Sequence, residues 1–127
     1  MNDQKIKVLL VEDDVMLVDM YVMKFESEGF EVWRGGNGVE GLKLLEEKGV
    51  PDILLLDVMM PQMDGFTMLG KVKENPQWKD VPVILLTNLG QETDVKKGLA
   101  MGVNDYLVKA NFTPGQVVEK VKALLKK

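Results

Sequence analysis

Neither cysteine nor histidine occurs among the 127 residues. Lack of cysteine excludes disulfides, thiol nucleophiles and thiolate metal sites. Lack of histidine removes the commonest neutral-pH acid–base group and the commonest transition-metal ligand. A metal bound by this chain is therefore held by oxygen, which favours magnesium, calcium or manganese. Excess positive charge is missing too: 16 Lys and Arg stand against 20 Asp and Glu, a net charge of −4. That balance argues against a direct nucleic-acid surface. The apolar run Ile6–Val11, broken by Lys7, is too short for a signal-peptide core, and no run approaches a membrane span. The expectation is a cytoplasmic protein without membrane association. Repeats, linkers and low-complexity segments are absent, and 46% hydrophobic with 28% charged residues is ordinary for a globular chain. The length suits a single domain over residues 1–127.

What is present is a regular alternation of apolar runs and helical patterns. Strands are predicted at Lys5–Val11, Phe30–Arg34, Asp52–Asp57, Pro82–Thr87 and Val103–Val108. Helices are predicted at about 15–28, 38–48, 65–75, 91–101 and 114–126. Five β-α units in succession imply a parallel sheet covered on both faces. The first helix carries Val18, Val22 and Phe25 on one stripe and stops at Gly29. The last opens with Thr113 as N-cap and Pro114 in its first turn. Its Lys120, Lys122, Lys126 and Lys127 suit the negative end of the helix dipole. Phe30–Arg34 alternates as an edge strand should, whereas the first, third and fourth runs are continuously apolar and central. An order of 2-1-3-4-5 satisfies this and brings the ends of strands one and three together at the switch point, where such sheets bind ligands.

The third run, Ile53-Leu54-Leu55-Leu56, leads straight into Asp57 and then Val58-Met59-Met60-Pro61. The first run ends in Glu12-Asp13-Asp14. Asp14 reads as a helix cap, but Glu12, Asp13 and Asp57 converge at one rim if strands one and three are neighbours. Three carboxylates that close repel, so one takes up a proton unless a hard divalent cation neutralises them. Strand four ends in Thr87-Asn88, a hydroxyl donor, and strand five in Lys109, a cation. Carboxylates, a hydroxyl and an ammonium at successive strand ends make a phosphoryl site. Asp57 would be the nucleophile, with Thr87 and Lys109 holding the phosphoryl oxygens.

Over essentially its whole length the chain resembles the receiver domain of two-component response regulators. The matching residues are Glu12-Asp13, Asp57 within Leu56-Asp57-Val58-Met59-Met60-Pro61-Gln62-Met63-Asp64-Gly65, then Thr87, Tyr106 and Lys109. The resemblance implies a flavodoxin-like three-layer α/β/α sandwich. It implies a stand-alone phosphoacceptor rather than an enzyme, with Asp57 taking a phosphoryl group from the phosphohistidine of a sensor histidine kinase or phosphotransfer protein. Mg²⁺, or Mn²⁺ in its place, would be held by Asp13 and Asp57, by Glu12 through water and by the backbone carbonyl of Met59. Thr87 and Tyr106 would follow the phosphoryl group inward and shift the fourth helix, fifth strand and fifth helix between two states. That surface would contact a downstream protein target, from a monomer or a weak phosphorylation-dependent dimer. Onward phosphate relay and excision from a longer regulator are equally compatible with the chain.

Some positions depart from the family pattern. Proline usually follows the lysine, joined by a cis bond; here the pair is Lys109-Ala110. A cis bond before a non-proline residue costs roughly 3–4 kcal/mol. Two arrangements stay open: a strained cis bond, or a rearranged loop that delivers Lys109. Asn88 stands where a small residue is common beside the attacked phosphorus, which implies altered water access and phosphoryl lifetime. Gly41 and Gly98 fall at helical positions, each at about 1 kcal/mol of helix preference, and Gly98 would soften the fourth helix. Gly36-Asn37-Gly38-Val39-Glu40-Gly41 matches the G-x-G-x-x-G dinucleotide fingerprint, but after an edge strand rather than the central first one. An aspartyl-nucleophile phosphohydrolase of the haloacid dehalogenase kind would want a second Asp at the place of Met59.

Overall fold

In a computed structural model, which describes residues 5–60, 62–88 and 91–126, strands and helices alternate strictly. The strands are β1 (Lys7–Val11), β2 (Glu31–Gly35), β3 (Ile53–Asp57), β4 (Val83–Thr87) and β5 (Asp105–Val108). The helices are α1 (Val15–Ser27), α2 (Gly38–Lys48), α3 (Gly65–Glu74), α4 (Glu92–Ala100) and α5 (Pro114–Lys126), with a 3-10 turn at Lys109–Asn111. Pro61 of the motif and Lys127 of the terminal lysines lie outside the described residues. The sheet has the order β2-β1-β3-β4-β5 with every pairing parallel, as the sequence predicts.

The continuously apolar runs explain the layering. Successive strand residues point to opposite faces, so each central strand feeds two cores at once. Leu9, Val11, Leu54, Leu56 and Leu85 pack on the side of α2 and α3, with Leu45, Met68 and Leu69. Val8, Leu10, Ile53, Leu55 and Leu86 pack on the side of α1 and α5, with Phe25, Val117 and Val121. Every residue of β3 and β4 is buried. At the β2 edge, Glu31 and Arg34 are exposed while Trp33 and Gly35 are buried.

Helix ends follow local chemistry. Asp14, Asn37 and Asp64 accept hydrogen bonds from the N–H groups of Leu17, Glu40 and Thr67 at 3.2, 2.9 and 2.8 Å. Thr113 Oγ1 accepts from the Gln116 N–H at 3.2 Å while Gln116 Oε1 accepts from the Thr113 N–H at 2.9 Å, a reciprocal cap. Gly29 takes a φ of 93° just beyond α1, the left-handed exit that glycine allows. Lys120 and Lys122 do more than complement a dipole: they pair with Asp105 at 2.8 Å and Glu28 at 2.6 Å.

Three expectations need revision. The buried stripe of α1 is Val18, Tyr21 and Phe25, with Val22 only half-buried. β1 and β5 start two residues later than predicted. Gly98 is a close-approach residue as well as a weak helix former: a Cβ there would lie 2.1 Å from Leu85 Cδ1. It is the one buried residue of α4, which rests on β4 through it. No helix among the described residues is long and apolar enough to cross a membrane.

Candidate functional site

Parallel register aligns the strand ends that carry polar chemistry. Val11 pairs with Leu56, Asp57 with Leu86 and Thr87 with Val108. Residues just past these positions therefore meet at one rim. Glu12, Asp13 and Asp57 each place a carboxylate oxygen within 4.8 Å of the others. Glu12 and Asp57 are both only 2% exposed, whereas Asp13 is open to solvent. Lys109 reaches in from the end of β5, its Nζ 2.9 Å from Glu12 Oε1 and 3.2 Å from Asp57 Oδ1. The second oxygen of Glu12 accepts from the Asp14 N–H at 3.1 Å, and the Met59 N–H donates to Asp57 Oδ1 at 3.3 Å.

Backbone hydrogen bonds anchor both ends of the segment that joins β3 to α3. The Val58 N–H donates to the Leu86 carbonyl and the Gly65 N–H to the Val58 carbonyl, at 3.2 and 2.9 Å. Gln62 takes a left-handed φ of 68° to turn the chain toward Asp64. At Gly65 a Cβ would lie 2.2 Å from the Asp57 carbonyl oxygen, so only glycine lets α3 start this close to the acid.

Burial sets the electrostatics. Asp57 is pushed up to about 7, first by loss of water and then by the Glu12 carboxylate, with Lys109 opposing. Burial alone would lower Lys109, but its contacts with Glu12 and Asp57 outweigh that and raise it. The acidic rim thus holds charge that it does not fully neutralise, as three converging carboxylates imply. An all-oxygen donor set with one solvent-facing carboxylate fits a hard divalent cation. Tyr21 lies below the rim with its hydroxyl buried and unpartnered, and its acidity is suppressed to about 12 by burial, then by Glu12. Sequence reasoning missed it, since a tyrosine on an apolar helix face reads as packing.

The remaining site residues fall nearby. Thr87 is buried, and its Oγ1 donates to the Leu107 carbonyl at 3.2 Å, away from Asp57. Tyr106 is 40% exposed. Thr87, Asn88, Val95, Lys96, Tyr106 and Val108 line a cavity of ≈ 390 Å³ between β4, α4 and β5. Asn88 is exposed, and its backbone N–H donates to Gln91 Oε1 at 2.8 Å. Gln91 Nε2 donates in turn to Met59 Sδ at 3.0 Å, a contact nothing in the sequence signals. There are no cis peptide bonds among the described residues, so the Lys109–Ala110 bond is trans and Lys109 stands as the first residue of the 3-10 turn.

Neither rival reading gains from the geometry. In the glycine-rich segment the Gly36 N–H is taken by Glu40 Oε1 at 2.6 Å. A Cβ at Gly38 would strike Met63, and one at Gly41 would strike Val11 and Met68, both at 2.8 Å. These glycines let α2 close on β1 and α3. The Met59 side chain, where a phosphohydrolase needs its second acid, is 58% exposed.

Comparison with known proteins agrees. The chain is 39% identical over 121 residues to the transcriptional regulatory protein SrrA of Staphylococcus aureus, and 33% identical over 121 residues to the DNA-binding dual master transcriptional regulator RpaA of Synechocystis. Each alignment takes 95% of this chain but 48% and 49% of the relative, so the chain spans about half the length of these proteins. Among solved structures, a putative response regulator from Chloroflexus aurantiacus superposes with a TM-score of 0.89 at 33% identity, covering 98% of this chain and 100% of that one. The Vibrio cholerae chemotaxis protein CheY4 does so with 0.84 at 29%, covering 94% and 98%. The family model of the response regulator receiver domain matches residues 8–122. With that match over nearly the whole chain, and the acidic rim at the strand ends, the chain belongs to the response regulator receiver family of two-component signalling.

Proposed function

We propose that Asp57 accepts a phosphoryl group from the phosphohistidine of a sensor histidine kinase or phosphotransfer protein. The observation that carries this reading is the buried Asp57 carboxylate, grouped with those of Glu12 and Asp13 and bridged by Lys109. An Asp57 oxygen attacks phosphorus, the P–N bond breaks, the imidazole leaves with that electron pair, and an aspartyl phosphate forms. Asp13 and Asp57 would hold Mg²⁺, or Mn²⁺ in its place, with Glu12 through water and the Met59 carbonyl as further donors. When bound, the ion would supply positive charge against the transferring phosphoryl group. Lys109 shifts from Glu12 to a phosphoryl oxygen, supplying a charge-assisted donor.

The phosphoryl group carries up to ~2 negative charges and three acceptor oxygens. Thr87 then gives up the Leu107 carbonyl for a phosphoryl oxygen, and Tyr106 turns into the cavity beside it. The surface of α4, β5 and α5 changes, and a protein target reads it, with nucleic acid not contacted directly. The chain is a cytoplasmic signalling phosphoacceptor rather than a turnover enzyme, organised as a single domain and acting as a monomer or weak phosphorylation-dependent dimer. Intact mass after incubation with acetyl phosphate and Mg²⁺ tests the reading. One added phosphoryl group is expected in wild type and none in Asp57→Asn; no addition to metal-loaded wild type would sink it.

A further inference from the structure

Gln91 stands at the N-cap of α4, where a side chain ordinarily accepts one of the helix's first N–H groups. The other four α-helices have such a cap, from Asp14, Asn37, Asp64 and Thr113. Gln91 makes none. Its amide instead spans two loops, Oε1 accepting from the Asn88 N–H at 2.8 Å and Nε2 donating to Met59 Sδ at 3.0 Å. Both partners flank the acceptor: Met59 is two residues beyond Asp57, and Asn88 follows the strand end beside it. Helix α4 is otherwise lightly seated, with Gly98 its one buried residue and Lys97 over the Phe66 ring at 4.5 Å.

The geometry points to Gln91 as a positioning residue that stands in for the phosphoryl group. Its amide oxygen occupies the Asn88 N–H in the unphosphorylated protein. A phosphoryl group on Asp57 brings oxygens that need donors, and the Asn88 N–H at the adjacent strand end is one. To release it Gln91 must swing away, which also breaks its bond to Met59 and frees the first turn of α4. One side chain thereby couples occupancy of Asp57 to the seating of the helix. This inference rests on the phosphoacceptor reading.

Substitutions at Gln91 separate this role from a simple latch. Gln91→Ala removes the competitor, and the initial rate of Asp57 phosphorylation by acetyl phosphate at saturating Mg²⁺ should rise about fivefold, the equivalent of about 1 kcal/mol for one hydrogen bond. Gln91→Glu keeps the acceptor for Asn88, strengthens it with charge and repels the incoming group, so the rate should fall by a similar factor. A latch alone predicts a Glu variant between wild type and Ala. In the unphosphorylated protein, the Asn88 amide of Gln91→Ala should exchange with deuterium severalfold faster. Rates of both variants within twofold of wild type, or moved in the same direction, overturn the inference while wild type still takes up phosphate. Unchanged Asn88 exchange overturns it whatever the phosphorylation result. Failure of wild type itself to accept phosphate defeats the acceptor reading instead.

Discussion

Replacing Asp57 by Asn should stabilise the metal-free protein, and the gain should depend on pH in a set direction. Asp57 is buried at a rim shared with Glu12, and its pKa is raised from 3.8 to about 7, chiefly by burial. Between those values the folded protein binds a proton that the unfolded chain does not. Stability therefore falls as pH rises from about 4 to about 7 and is level above. A rise of about three pKa units corresponds to a ceiling of about 4 kcal/mol. Lys109's attraction is already contained in that value, and side-chain adjustment with water entry at the open Asp13 side should relieve about half of it. We expect Asp57→Asn to gain about 2 kcal/mol at pH 8, roughly 5–10 °C in Tm for a chain of this size. At pH 4 the gain should nearly vanish. Thermal unfolding by circular dichroism in chelator at both pH values measures it. A variant no more stable than wild type at pH 8, or a gap equal at both values, would refute the reasoning.

Three further outcomes are expected. Gly65→Ala drives a Cβ against the Asp57 backbone oxygen at 2.2 Å, which no side-chain rotation relieves; urea unfolding should show a loss of about 3 kcal/mol. Gly98→Ala meets Leu85 Cδ1, the tip of a side chain that can turn, and gains about 1 kcal/mol of helix propensity; stability should change by less than about 1 kcal/mol, and α4 amides should gain protection in hydrogen exchange. Magnesium at 100 times its dissociation constant should add about 2.7 kcal/mol at pH 8, and Asp13→Ala should abolish most of that rise in Tm.

The central strands were legible because residues buried on both faces must be apolar at every position, and Ile53–Leu56 and Val83–Leu86 are. Their ends are legible because polar residues break the runs there, at Glu12, Asp57, Thr87 and Lys109. On α1 the pattern left Tyr21 and Val22 as neighbours within one helical turn, and periodicity alone could not choose the inward one. The close approaches at Gly65 and Gly98 depend on distances between elements that a sequence does not encode locally. Gln91 carries the least signal of all in the sequence. Its thioether contact joins residues 32 apart, and an exposed amide in a polar loop carries no pattern at all.

The unequal fastening of the helices has a mechanical consequence. α1 and α5 each drive three side chains into their core, and α3 buries four residues. α4 is pinned by a glycine. When stiff and soft springs carry the same load, the soft one takes nearly all the displacement. On the phosphoacceptor reading proposed above, most of the movement within the α4–β5–α5 surface is therefore expected in α4, with α1 and α3 as the fixed footing. On that reading the direction of signal flow through this sheet is a matter of compliance, set by how little α4 buries.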